Sequence, residues 1–136
     1  MTKSGYVRTD VSGASDQQDA VDWSVLESLA VLQKPGAPDL RTRLITIYLK
    51  TSLELMKGIR IAFLTADAQL LATSAHALKS SSLSLGAIKL GTLCTALENI
   101  GRANEIKDAG DLVIMVEELY AAVTAVFRDA LHQAEK

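Results

Sequence analysis

The residues best suited to chemistry in this chain lie in one short window, Ala75-His76-Ala77-Leu78-Lys79-Ser80-Ser81-Ser82, which holds one of only two histidines. From Leu70 onward the positions Leu71, Ser74, Leu78, Ser81 or Ser82, and Leu85 recur at the three-and-four spacing that turns one helical face toward a core. At about 100° per residue, His76 lies roughly 200° around that helix from Leu78. It therefore shares the opposite, solvent-facing side with Thr73, Lys79, Ser80 and Leu83. Lys79, three residues on, is within side-chain reach. A solvent-facing imidazole is a candidate nucleophile, and an ammonium group with small neighbours beside it suits transient binding of an anion, phosphate above all.

The elements that must position this window are helical. Both prolines precede residue 39, aromatics are scarce, and Ala, Leu, Lys and Glu abound. A short first helix is predicted from the N-cap Asp22, with Trp23, Leu26, Leu29 and Leu32 on one side, stopped by Pro35-Gly36-Ala37-Pro38. A second starts at Asp39 and runs to about Ala66 on a stripe of Ile45, Leu49, Leu53, Met56, Ile59 and Phe63, with Gly58 as its weak position. Asp67 opens the histidine helix, and Gly86 breaks it. The next stripe, Leu90, Leu93, Cys94, Leu97 and Ile100, ends before Gly101, and a last helix from Asp108 or Asp111 turns Leu112, Val116, Leu119, Val123, Val126 and Ala130 inward. The expected fold is all-α, an antiparallel up-down-up-down four-helix bundle with a short additional N-terminal helix. An intermolecular bundle of helical hairpins is the competitor. Residues 1–19 read as a flexible tail or linker and 20–136 as the bundle.

Gly86 fixes a partner for the histidine. In an antiparallel hairpin both helices rise about 1.5 Å per residue, so positions equidistant from the turn share a height. His76 is ten residues before Gly86 and Glu98 twelve after it. A carboxylate there can accept the Nδ1 proton and leave Nε2 as a free lone pair, or it can simply solvate the rim of the bundle.

Composition excludes several classes. A net charge of −2 provides no basic field for nucleic acid, and Arg41, Arg43, Lys50, Lys57 and Arg60 read as one solvated face interrupted by Glu54. No apolar run approaches the ~20 residues of a membrane span, and no signal-peptide core is visible, so a cytoplasmic protein without membrane insertion is expected. The single cysteine, Cys94, reads as core. The serines at 80, 81, 82 and 84 lack the surroundings of a nucleophile elbow. His132 reads as exposed and idle, and no histidine or acidic cluster has the spacing of a metal site.

The window from Ala75 to Ser82, followed by Leu85-Gly86-Ala87, Leu93-Cys94 and Leu97-Glu98, resembles the histidine-containing phosphotransfer domain of bacterial multistep phosphorelays. The resemblance spans about residues 22 to 130 and is most specific between 72 and 102. It implies that His76 accepts the phosphoryl group, that Lys79 steadies it, and that Glu98 orients the imidazole. The chain would be a carrier, not an enzyme, exchanging phosphate with response-regulator receiver domains that bring the acceptor aspartate and the magnesium. It would bind no cofactor or metal itself. Docking is expected on Ala72, Thr73, Ser80 and Leu83, with Arg102 at the rim, and the protein is expected to be a monomer. Ser80 stands where many members of that family have glycine, a change expected to alter partner preference more than docking itself. The linker-like N-terminus favours the C-terminal domain of a hybrid sensor kinase. A non-catalytic helical interaction module is the alternative.

Overall fold

The computed structural model describes residues 20–37 and 39–134. The expectations for residues 1–19 and for Pro38 lie outside them. Within them the chain forms five α-helices: α1 Trp23–Ser28, α2 Leu40–Thr65, α3 Ala68–Ser84, α4 Ile88–Arg102 and α5 Gly110–Ala134, with single 3₁₀ turns at Leu29–Leu32 and Ile106–Asp108. The four long helices form an antiparallel ring in which α2 packs on α3 and α5, and α4 packs on the same two. This is the four-helix bundle with an extra N-terminal helix.

Three of the helices start where an aspartate can cap them. Asp22 accepts from the Ser24 amide, Asp39 from the Arg41 amide and Asp67 from the Leu70 amide. Each bond satisfies an amide that has no partner within its helix. The α3–α4 turn depends on Gly86, whose φ of +90° suits glycine. Its carbonyl accepts from the Asp22 amide at 2.7 Å, and a side chain at Gly86 would collide with the Asp22 carbonyl. The N-terminal segment is thereby tied to the turn of the histidine hairpin.

The core runs through Ile45, Ile59, Leu71, Leu78, Leu90, Leu97, Val116, Val123 and Phe127, all fully buried. Phe127 takes Trp23 and Tyr48 edge-on, at centroid distances of 6.0 and 5.4 Å. Burial leaves the hydroxyls in the core needing partners, and they pair across helices, Tyr48 with Ser82 and Ser52 with Tyr120, each at 2.8 Å. Cys94 is fully buried, and that burial pushes its thiol up to about 12, so it behaves as a small apolar residue.

Several packing expectations need correction. Leu32 and Leu53 are exposed because α1 ends at Ser28 and because the buried line of α2 passes through Tyr48, Ser52 and Met56. On α5 the buried positions include Val113, Thr124 and Phe127, one residue out of phase with the predicted Leu112 and Val126, which are half-buried. Gly58 is a contact point: a Cβ there would lie 2.6 Å from the Ser74 hydroxyl. Gly101 does not end its helix but is buried within the last turn of α4, where an added Cβ would sit 2.8 Å from both the Ala68 carbonyl oxygen and the Ala72 amide. Without a side chain at that position, α3 and α4 approach backbone to backbone.

Candidate functional site

His76 lies mid-way along α3 on the side away from Leu71, Ala75 and Leu78, all three fully buried, and its own side chain is 52% exposed. The helical phase that hides the leucines presents the imidazole. Across the hairpin, the same phase on α4 buries Leu97 and places Glu98 beside it with a side chain only 7% exposed. His76 Nδ1 and Glu98 Oε2 are 2.9 Å apart. With a carboxylate as acceptor, Nδ1 carries the proton and donates it, which leaves the lone pair of the neutral, half-exposed ring on Nε2.

Glu98 serves three donors. Lys79 Nζ donates to Oε1 at 2.9 Å, while Arg102, one turn further along α4, donates through Nε at 3.0 Å and Nη2 at 2.6 Å to Oε2. The Lys79 ammonium first, and then the Arg102 guanidinium, hold the Glu98 carboxyl well below the usual carboxylate range, at about 2, and the imidazole adds to them against the opposing effect of burial. The carboxylate is therefore charged at neutral pH. A nearly buried anion with four hydrogen bonds has little freedom to rotate, which fixes the ring it holds.

The residues predicted for the site, His76, Lys79 and Glu98, are thus brought together, and Lys79 is bonded to Glu98. Arg102, expected only at a docking rim, belongs to the cluster; the four-residue Glu98-to-Arg102 spacing was the available signal. Thr73 and Ser80 are exposed, and Leu83 is 39% exposed, leaning over the bare backbone of Gly91. Ala72 departs from the predicted docking face. It is 6% exposed, because Gly101 packs on its backbone, and it forms the floor of an open groove of about 410 Å³ with Ala68, Gln69, Arg102 and Asn104. Ser82 is buried on Tyr48 and Ser81 is spent on the Ala77 carbonyl, so neither is a nucleophile; His132 is exposed at the far end of α5.

Among the described residues no cluster of three or more His, Cys, Asp or Glu could hold a metal ion, and no helix is long and apolar enough to cross a membrane.

The Hpt domain family model matches residues 43–135, more than half of the chain and all of the helices that carry this cluster. The chain belongs to the Hpt domain family. Its fold is similar to the crystal structure of histidine-containing phosphotransfer protein B from Pseudomonas aeruginosa PAO1, with a TM-score of 0.76 and 28% identity over 84% of this chain and 96% of that one. No curated protein sequence matches the chain. Histidine phosphotransfer in phosphorelays is the function of this Hpt domain, which is a phosphoryl carrier and not an enzyme in its own right. Hpt domains exchange the group with receiver domains of response regulators.

Proposed function

We propose that His76 Nε2 is the atom that carries the phosphoryl group. The supporting observation is the 2.9 Å bond from Nδ1 to a carboxylate that two cations hold ionised and in place. In the transfer, the Nε2 lone pair attacks the phosphorus of a receiver's aspartyl phosphate. The Nε2–P bond forms as the P–O bond to the aspartate breaks, and the aspartate leaves with the electron pair. The ring gains positive charge while the Nδ1 proton stays in place, and Glu98 lies against that charge. The same steps in reverse deliver the group to another receiver.

Phosphoryl transfer needs charge neutralisation and in-line placement more than covalent help. This chain offers a nucleophile and cations, while the magnesium and the acceptor carboxylate belong to the receiver, on which turnover depends. Lys79 steadies the phosphoryl group, and its single bond to Glu98 leaves two of its three N–H donors for that role. The receiver docks over Thr73, Ser80 and Leu83 and along the groove that Arg102 borders, a small and transient interface of a monomeric, cytoplasmic carrier.

The test is incubation with a phosphorylated receiver and magnesium. The wild-type protein acquires an acid-labile, base-stable phosphate, and His76→Gln acquires none while its helicity and melting are unchanged. Equal uptake by the variant would refute the assignment, and an absence of uptake by the wild type would leave a helical interaction module.

A further inference from the structure

The charges around Glu98 do not balance on Lys79 alone. Glu98 carries one negative charge and Lys79 one positive charge, paired at 2.9 Å, so those two neutralise each other before any phosphate arrives. A phosphoryl group adds about −1.5 to −2 at pH 7. With Arg102, whose guanidinium is bonded to the same carboxylate and whose side chain is 62% exposed, the cluster carries one net positive charge, which neither cation supplies without the other.

The donors lead to the same conclusion. A guanidinium presents five N–H donors in a rigid plane. Arg102 spends the Nε donor and one on Nη2, both on Glu98 Oε2, the very oxygen that accepts from His76. Its other three donors have no acceptor among the described residues. Helix packing adds the position: Gly101 against Ala68 and Ala72 sets the end of α4 level with the turn of α3 before His76, whereas Lys79 lies a turn after it. The two cations flank the imidazole along the helix axis, and one carboxylate holds both.

We infer that Arg102 is a second phosphoryl-contacting cation, bridging Glu98 and the phosphoryl group. Its Nε and Nη2 stay on Oε2, and its remaining N–H donors turn to the phosphoryl oxygens on Nε2. The inference rests on the reading of His76 as acceptor. A guanidinium already seated on its anchor loses little freedom on taking up a second anion, whereas an ammonium at this position lacks the planar fork that serves two acceptors at once.

The experiment compares the wild-type protein with Arg102→Ala, Arg102→Gln and Arg102→Lys. The readouts are the equilibrium of phosphate between a receiver and this chain in magnesium, the pH titration of the phosphohistidine ³¹P signal, and the ¹⁵N shifts of the unphosphorylated His76 ring. Loss of the guanidinium is expected to move the equilibrium about tenfold toward the receiver, the value of one charge-assisted hydrogen bond. It should also raise the pH at which the phosphoryl group titrates and leave the resting tautomer in place, with partial recovery in Arg102→Lys. An unchanged equilibrium and ³¹P titration in Arg102→Ala, with His76 still phosphorylated, would overturn the inference and leave the carrier reading standing. A changed resting tautomer with an unchanged ³¹P titration would also overturn it, because Arg102 would then act only through Glu98. Failure of the wild type to take up phosphate, or uptake by His76→Gln, would remove the carrier reading and this inference together.

Discussion

Gly101→Ala is a demanding test, because helix propensity and packing predict opposite signs. An exposed glycine within a helix costs about 1 kcal/mol relative to alanine, so propensity alone expects the variant to be more stable. The structure expects the reverse. The new Cβ would lie 2.8 Å from the Ala68 carbonyl oxygen and from the Ala72 amide nitrogen, and 3.0 Å from the Ala72 Cα, where ordinary contact begins at 3.4 Å. All three atoms are backbone, so none can turn aside, and α3 and α4 must part locally by roughly 0.6 Å. Overpacking of that kind costs about 3 kcal/mol at the upper end of its range, and the propensity gain of about 1 leaves a net loss of about 2 kcal/mol. For a chain of this length that corresponds to a melting temperature lower by about 8 °C. The same parting, carried one turn back to Glu98, stretches its 2.9 Å bond to His76 toward about 3.5 Å, the outer limit of a hydrogen bond. Thermal unfolding by circular dichroism and the ¹⁵N shifts of the His76 ring measure the two effects. Gly58→Ala is the control: its nearest neighbour is the Ser74 hydroxyl, which can rotate away, so the propensity gain is kept and its melting should not fall. A Gly101→Ala protein that melts at or above the wild-type temperature, with an unaltered ring, would refute the argument.

Lys79→Ala should slow phosphate exchange with a receiver about tenfold in stopped-flow or gel assays and leave the far-ultraviolet spectrum unchanged, since it removes one charge-assisted bond from a surface cluster; unaltered exchange would exclude Lys79 from the site. Glu98→Ala should abolish the preference for the tautomer protonated on Nδ1 and slow exchange on the order of tenfold. Glu98→Gln should be milder, because its amide oxygen still accepts the proton, and three identical ¹⁵N patterns would show that Glu98 does not orient the ring. Because the Glu98 carboxyl is held at about 2 against an ordinary 4.5, the native chain binds fewer protons there than the unfolded one, and its stabilising effect is complete above pH 4.5 and lost as pH falls toward 2. The carboxyl ¹³C signal should stay that of an ionised group down to pH 3, and a midpoint at or above 4 would contradict the cluster.

What could be read in advance was local. Asp22, Asp39 and Asp67 cap helices with their own side chains, and Gly86 reverses the chain at its own backbone, so the sequence around each was sufficient. Counting out from that turn placed Glu98 beside His76, because both helices are regular. What could not be read depends on a distant partner. Tyr48 and Ser82 are 34 residues apart, and Ser52 and Tyr120 are 68 apart, so nothing near any of them announces a buried hydroxyl pair. Gly58 and Gly101 read as a weak point and a terminator, since the atoms that make them contacts belong to another helix. The common attachment of Lys79 and Arg102 to Glu98 appears only when α3 and α4 are side by side.

His76 sits in the middle of an uninterrupted helix, and the carboxylate bonded to it sits on a second helix packed against the first through Gly101. Among the described residues no hinge or lid lies between them, so on the proposed reading a group arriving at Nε2 and a group departing from it meet the same arrangement of atoms. Such a carrier has no ratchet. It cannot favour inflow over outflow, and the direction of traffic through it is left to mass action, that is, to which receiver is abundant and how heavily each is charged at the moment of encounter. Directionality in the relay is then a property of the company this protein keeps, and a change in receiver supply alone suffices to turn a source of phosphate into a drain.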